Sequence, residues 1–346
     1  MVLVGEHEHG DLEQIASELR GLGIDFFGGL FPALIDEDRK HDGGALLIKL
    51  PAASAPILVT GLDKGSPHLP EVGSTAASIE GPTSAVVFVD GLTSSIARLL
   101  SELYGQVGNS INFVGGGAGS LSLRQEPCVF TRAGVFQDAA VITFLSQRSR
   151  VGVRHGWEHL AGPVIATRTS GNVIHELNWR SALDVYREAI EPHTGLTLTK
   201  ENLFLASNAF PFGIFREGSE DVVRDPVALE DDGSLVCVGE VPENVVLHVL
   251  TGDAHSLIEA AGQAANDCCR APLERPTLAF IVDCVSRTIF LEGEFDAELA
   301  AVREPLQKLA PEMPMFGVLS LGEISSHGEG VLEFFNKTIV ASVLHD

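Results

Sequence analysis

The chain has 346 residues, 45% hydrophobic and 20% charged, a globular balance with material for two domains or one large duplicated one. Its formal net charge of −24 repels nucleic acid and anionic membrane surfaces. Apolar runs such as residues 85–89 and 278–282 fall far short of the roughly 18 residues of a membrane helix. The first ten residues lack the basic start of a signal peptide, so a cytoplasmic protein is expected.

One pattern recurs along the chain: a short apolar strand, a polar turn, an amphipathic helix and a second apolar strand ending in glycine. The first copy runs from Val2-Leu3-Val4 through a helix at residues 11–22 to Phe26-Phe27-Gly28-Gly29. Leu12, Ile15, Ala16 and Leu19 share one helical face, Asp11 is the expected N-cap, and Gly21 and Gly23 are stops. The second copy opens at residues 86–91, predicts a helix over 94–104 with Ile96, Leu99, Leu100 and Leu103 on one face, and ends in Gly115-Gly116-Gly117. The third opens at 279–284, continues in a helix over 296–309 and ends at Phe316-Gly317. A partial fourth is a strand at 246–250 followed by a helix at 255–265. After each of the three glycine ends comes a similar segment (30–35, 118–123, 318–324), then another β-like run (45–50, 139–145, 339–344). This alternation predicts a two-part α/β fold of internally repeated strand-helix-strand units around largely parallel or mixed sheets. A boundary near residue 150 divides it into 1–150 and 151–346. Glycine at a strand end marks a tight turn or a close backbone approach. Ligands gather outside such ends in open α/β sheets, which makes Gly116 and Gly117 candidate contacts, although turn-making alone also accounts for them.

With these residues in view, the chain resembles the FIST family, with its N- and C-terminal regions in order. The likeness rests first on Gly115-Gly116-Gly117-Ala118-Gly119 followed by Phe130-Thr131-Arg132-Ala133-Gly134-Val135. It rests next on Gly152-Val153-Arg154-His155-Gly156-Trp157, Pro163, Thr167, Ser170-Gly171-Asn172-Val173-Ile174 and Ala182-Leu183-Asp184-Val185-Tyr186. Last come Asp283-Cys284-Val285-Ser286-Arg287, Phe316-Gly317, Leu321-Gly322-Glu323-Ile324 and Phe335-Asn336-Lys337-Thr338. The resemblance implies an intracellular sensory module that binds a small ligand and signals through a partner such as a histidine kinase or a cyclic-dinucleotide enzyme. Some members resemble haem-based nitric oxide sensors. No kinase, methyl-accepting or cyclase region is attached, so the partner is expected to be a separate protein.

The residues suggest where a ligand would sit. Six of the 17 arginines fall between Arg148 and Arg187, against three acids there (Glu158, Glu176, Asp184), a cationic island in an acidic chain. Guanidinium groups suit carboxylates and phosphates, so the expected ligand is anionic, with Arg154 and Arg168 facing it and Asn172 in the adjoining turn. If residues 151–157 are a strand running on to His159, then His155, Trp157 and His159 project from one face. His155, or alternatively His159, would then ligate haem iron, with Trp157 against the macrocycle and an arginine on a propionate. Arg287, Glu323 and Asn336 follow or precede successive strands and are expected near one rim, as ligand contacts or as a structural ion pair. The Gly115 to Ser120 loop lacks a P-loop lysine but allows an anion-binding nest of backbone N–H groups. The five cysteines include no C-x-x-C pair and read as buried apolar groups. No Gly-x-Ser-x-Gly elbow or His-Glu-x-x-His run is present, and His7-Glu8-His9 reads as solvated, so no enzyme is expected. The alternatives are an enzyme acting on a small anionic metabolite and a non-catalytic interaction scaffold.

Overall fold

The computed structural model describes residues 1–7, 11–64, 69–81, 83–326 and 332–346; Glu8 and His9 of the N-terminal histidine run lie outside them. The three expected copies are three units of one topology. In the first, strand Val2–Gly5 leads through helix Leu12–Gly21 to strand Phe27–Phe31, then to the hairpin Ala33–Asp36 and Arg39–His41, and to strand Ala45–Leu47. Asp11 caps the helix by accepting from the Glu13 N–H, which satisfies one of its unpaired donors. The second unit repeats this order with Ser84–Asp90, helix Ile96–Val107, Asn112–Ala118, the hairpin Val129–Thr131 and Gly134–Phe136, and Ala139–Leu145. The third runs Pro276–Cys284, helices Val285–Leu291 and Phe295–Leu309, Met315–Ser320, the segments Glu323–Ser326 and Leu332–Phe335, and Ile339–His345. In every unit the first two strands pair in parallel and the last strand returns antiparallel to the first, so the sheets are mixed.

The hairpins do not stay at home. The first unit's hairpin extends the third unit's sheet, with Gly317 opposite Ile35. The second unit's hairpin extends the first unit's sheet, with Gly28 opposite Phe130. The third unit's extends the second unit's sheet, with Gly115 opposite Ile324. The exchange is therefore cyclic.

These registers explain one glycine per unit. Gly28, Gly115 and Gly317 occupy equivalent positions, paired with Val2, Val87 and Ile281. A Cβ on them would lie 1.9, 1.7 and 2.3 Å from the carbonyl oxygens of those same partners. Of the two expectations for these glycines, a tight turn or a close backbone approach, it is the close approach that applies, and they lie inside strands. Where the units meet, the Phe88 ring of the second packs on Phe27 and Phe31 of the first and Phe280 of the third, at centroid distances of 6.0, 5.1 and 6.4 Å. Such aromatic pairs add about 0.5–1.5 kcal/mol each beyond the burial of their area.

Between the second and third units lies an eight-stranded antiparallel sheet formed by residues 158–251. Its long strand Glu158–Ser170 pairs with Val246–Thr251 at one end and Val173–Leu177 at the other. The expected fourth copy is corrected here. Strand Val246–Thr251 has only antiparallel neighbours, and its following helix, Ala254–Cys268, packs with Phe295–Leu309 in the third unit's core. The expected junction at residue 150 falls within strand Arg148–Arg154, which pairs along its length with Ile339–His345. Among the described residues, no helix is long and apolar enough to cross a membrane.

Candidate functional site

Strand Arg148–Arg154 ends where the inserted sheet begins, and the chain must turn there. Gly156, at φ +79°, makes the turn, and a Cβ on it would collide with the Ser256 carbonyl at 2.6 Å. Residues 155–157 are thus a turn and not a strand, which corrects the expectation that three rings share a face. His155 points into a cavity of about 380 Å³, Trp157 is buried against Phe290, and the half-exposed His159 turns outward to Asp221. The cavity lies between the third unit and residues 216–222 of the inserted sheet, with Val153, Phe335 and Thr338 forming its inner wall. Its volume falls within the range of small-ligand pockets.

His155 is buried and oriented from three sides. Its backbone N–H donates to Glu220 Oε2 at 2.7 Å, its carbonyl accepts from Arg287 at 2.6 Å, and its Nδ1 accepts from the Trp157 N–H at 2.8 Å. A neutral imidazole that accepts at Nδ1 carries its proton on Nε2. That Nε2 is buried with no hydrogen-bond partner among the described residues; Glu220 Oε2 stands 3.6 Å away. Burial pulls the His155 pKa below the usual histidine value, against the opposing pull of Glu220. The ring is therefore a neutral N–H donor aimed into the cavity.

That tautomer bears on haem. Iron would need the Nε2 lone pair, and freeing it means moving the proton to Nδ1 and breaking the bond from Trp157. The wall is also acidic: Glu217, Glu220, Asp221 and Glu333 outnumber Arg216, which itself pairs with Glu333 at 2.7 Å. Propionates would meet carboxylates. His159, half exposed, is engaged by Asp221. The residues present do not fit a haem at either histidine.

Four of the six arginines of the island are taken into ion pairs. Arg154 joins Asp267 at 2.5 Å and Glu220 at 4.0 Å, and exposed Arg168 joins Glu176 across the strand pair at 3.0 Å. Arg180 pairs with Glu188, and Arg187 with Glu191. Neither Arg154 nor Arg168 lines the cavity beside His155. Asn172 holds the turn at 171–172 by donating to the Cys237 carbonyl at 2.8 Å, and it faces a separate cavity with Leu92 and Arg224.

Gly116 and Gly117 are packing positions and not a nest. A Cβ on Gly116 would meet Val282 at 2.8 Å, one on Gly117 would meet the Leu321 carbonyl at 2.5 Å, and the Gly117 N–H is committed to the Gly322 carbonyl. Arg287, Glu323 and Asn336 are all buried in the interior and not at a rim, each with partners of its own. Fully buried Arg287 pairs with Glu298 and, at 3.4 Å, with Asp283. Glu323 accepts from Ser320 at 2.7 Å, and burial pushes its pKa up to about 8. Asn336 accepts from Arg224 at 3.4 Å.

Sequence reasoning missed the residue that ties this interior to the inserted sheet. Lys337 is fully buried, donates to Asn208 at 2.7 Å, pairs with Asp225 at 3.2 Å and lies 5.3 Å from the centre of the Trp157 ring. Its carbonyl receives the Trp157 indole N–H at 3.3 Å. The signal available was its place in Asn336-Lys337-Thr338, a run already singled out. Glu220 and Asp221 carried no signal, because only the sheet brings them to His155.

Comparison with family profiles accounts for nearly the whole chain. The profile of the FIST N domain matches residues 1–180, and that of the FIST C domain matches residues 182–326. The comparison with curated proteins finds no match.

Proposed function

The chain belongs to the FIST family, and from that premise we propose that it is a sensor whose small ligand enters the cavity beside His155. FIST domains are signal-transduction sensor domains. The observation that carries the finer reading is the buried, partnerless Nε2–H of His155 in the cavity wall. A buried donor without a partner costs about 1–3 kcal/mol, which a ligand acceptor would recover. The surrounding carboxylates favour a positive group on the same ligand. The ligand is therefore not the anion expected of the arginine island but an amine-bearing polar metabolite that also offers a hydrogen-bond acceptor. The bound ligand would then be read out by a signalling partner.

The test is a thermal-shift panel of amino acids, amines and dicarboxylates on the wild-type chain and on His155→Asn. Asparagine keeps an acceptor for the Trp157 N–H and removes the Nε2 donor. A ligand that binds only the native state raises its melting temperature. The expected result is a rise with an amine-bearing compound that is lost in His155→Asn. A rise only with dicarboxylates, or an equal rise in both proteins, would refute the reading.

A further inference from the structure

Beside that cavity, three metal-type donors converge. His159 Nε2 and His248 Nδ1 lie 2.9 and 3.0 Å from one oxygen, Asp221 Oδ2, and the three donor atoms all lie within 4.8 Å of one another. Strand pairing assembles them from distant positions. His159 sits at the start of Glu158–Ser170, opposite Leu250 of Val246–Thr251, and the register slips between His159 and Ala161. A slip of this kind re-aims side chains; here the rings of His159 and His248 stack at 3.7 Å. Asp221 immediately precedes Val222–Arg224, the strand beyond Phe212–Ile214.

A glycine makes the room. Gly213 lies between His248 on one side and Val223 on the other. A Cβ on it would stand 2.7 Å from Asp221 Oδ2, so any other residue would displace the carboxylate from the two imidazoles. The site is also graded in exposure. Asp221 and His248 are held in the protein, whereas the His159 side chain, bonded to Asp221, is 52% exposed on the solvent side.

We propose that His159, His248 and Asp221 bind one divalent first-row transition-metal ion of the zinc or iron(II) type, with water in the remaining positions. Two imidazoles and a carboxylate are a donor set that such ions accept while keeping open positions. In the metal-free protein one carboxylate oxygen receives both ring N–H groups, which places the protons on His159 Nε2 and His248 Nδ1. Coordination moves each proton to the other ring nitrogen, so two neutral imidazoles and one carboxylate face the ion. The rings leave their stack as their lone pairs converge, and His159 makes most of that movement.

The site is tested with Co2+ as the probe, on the full chain stripped by chelator. The expected result is saturable one-to-one binding with a visible ligand-field absorption, displaced by Zn2+. His159→Ala and Asp221→Asn should each weaken binding by more than about 100-fold, beyond the cost of losing an outer-shell partner. His175→Ala, which alters a separate histidine bonded to Ser170 and Ser234, should leave it unchanged. His155→Asn should also leave it unchanged, so this site and the ligand cavity can fail independently. Absence of saturable binding to the wild-type chain, or equal affinity in His159→Ala with circular dichroism unchanged, would overturn the proposal.

Discussion

Replacing Glu323 by glutamine should change how stability depends on pH more than it changes stability itself. The carboxyl is fully buried, and burial is the main reason its pKa rises from 4.5 to about 8; bonds from Ser320 and others pull the other way. The folded protein thus holds the proton more tightly than the unfolded chain. Below about pH 4.5 both states are protonated and the folded state bears no penalty. Above that the unfolded chain ionises first, so stability falls with rising pH, by about 1.4 kcal/mol per unit, until the folded pKa is passed. A shift of this size amounts to about 5 kcal/mol in full, of which about 3–4 kcal/mol is lost between pH 5 and pH 8. The glutamine amide resembles the protonated acid in shape and does not titrate. Urea unfolding of both proteins at pH 5, 6.5 and 8 reads the difference, in which the titrations they share cancel. The advantage of Glu323→Gln should grow by about 3–4 kcal/mol across that range. A difference flat to within about 1 kcal/mol would mean that Glu323 is ionised in the fold, and the burial argument would fail.

Four further outcomes are open to measurement. Gly115→Ala places a methyl group 1.7 Å from the Val87 carbonyl and should destabilise by more than about 3 kcal/mol in urea unfolding. Gly105→Ala, in a helix with nothing near the new Cβ, should stabilise by up to about 1 kcal/mol. Arg287→Met strands Glu298 and Asp283 in the interior and should cost about 3–5 kcal/mol; a neutral result would show that both acids are protonated. Trp179 is 76% exposed and Trp157 is buried, so Trp179→Phe should leave a blue-shifted emission that iodide quenches poorly, and strong quenching would contradict the placement of Trp157.

The repeat was legible because it is local. Helical spacing at Leu12, Ala16 and Leu19, and at Ile96, Leu99, Leu100 and Leu103, put those side chains in the core as expected. Strand pairing between distant segments leaves no such trace, so the hairpin exchange was invisible, and the fourth copy was inferred from a strand that runs antiparallel to its neighbours. The site failed to show for the same reason. His159, Asp221 and His248 are separated by 62 and 27 residues. Lys337, Asp283 and Glu298 carry ionisable groups into the interior, against the rule that such groups stay outside unless paired, and their pairing is a property of the fold. The arginine island was real as composition, yet each acid that neutralises Arg154 lies more than 60 residues away in the chain.

The cyclic exchange of hairpins also governs how this protein comes off the ribosome. Residues 33–36 find their partners only when residues 316–319 have been made. At about 5–20 residues per second, that interval is roughly 15–60 s. Through it the buried edge of Ala33–Asp36 has no sheet to join, and the glycine-bearing strand Asn112–Ala118 waits likewise for Glu323–Ser326. These edges therefore stay unpaired until the last tenth of the protein emerges. A cut at the 180/182 seam between the two family regions would sever a dovetail and not release a domain.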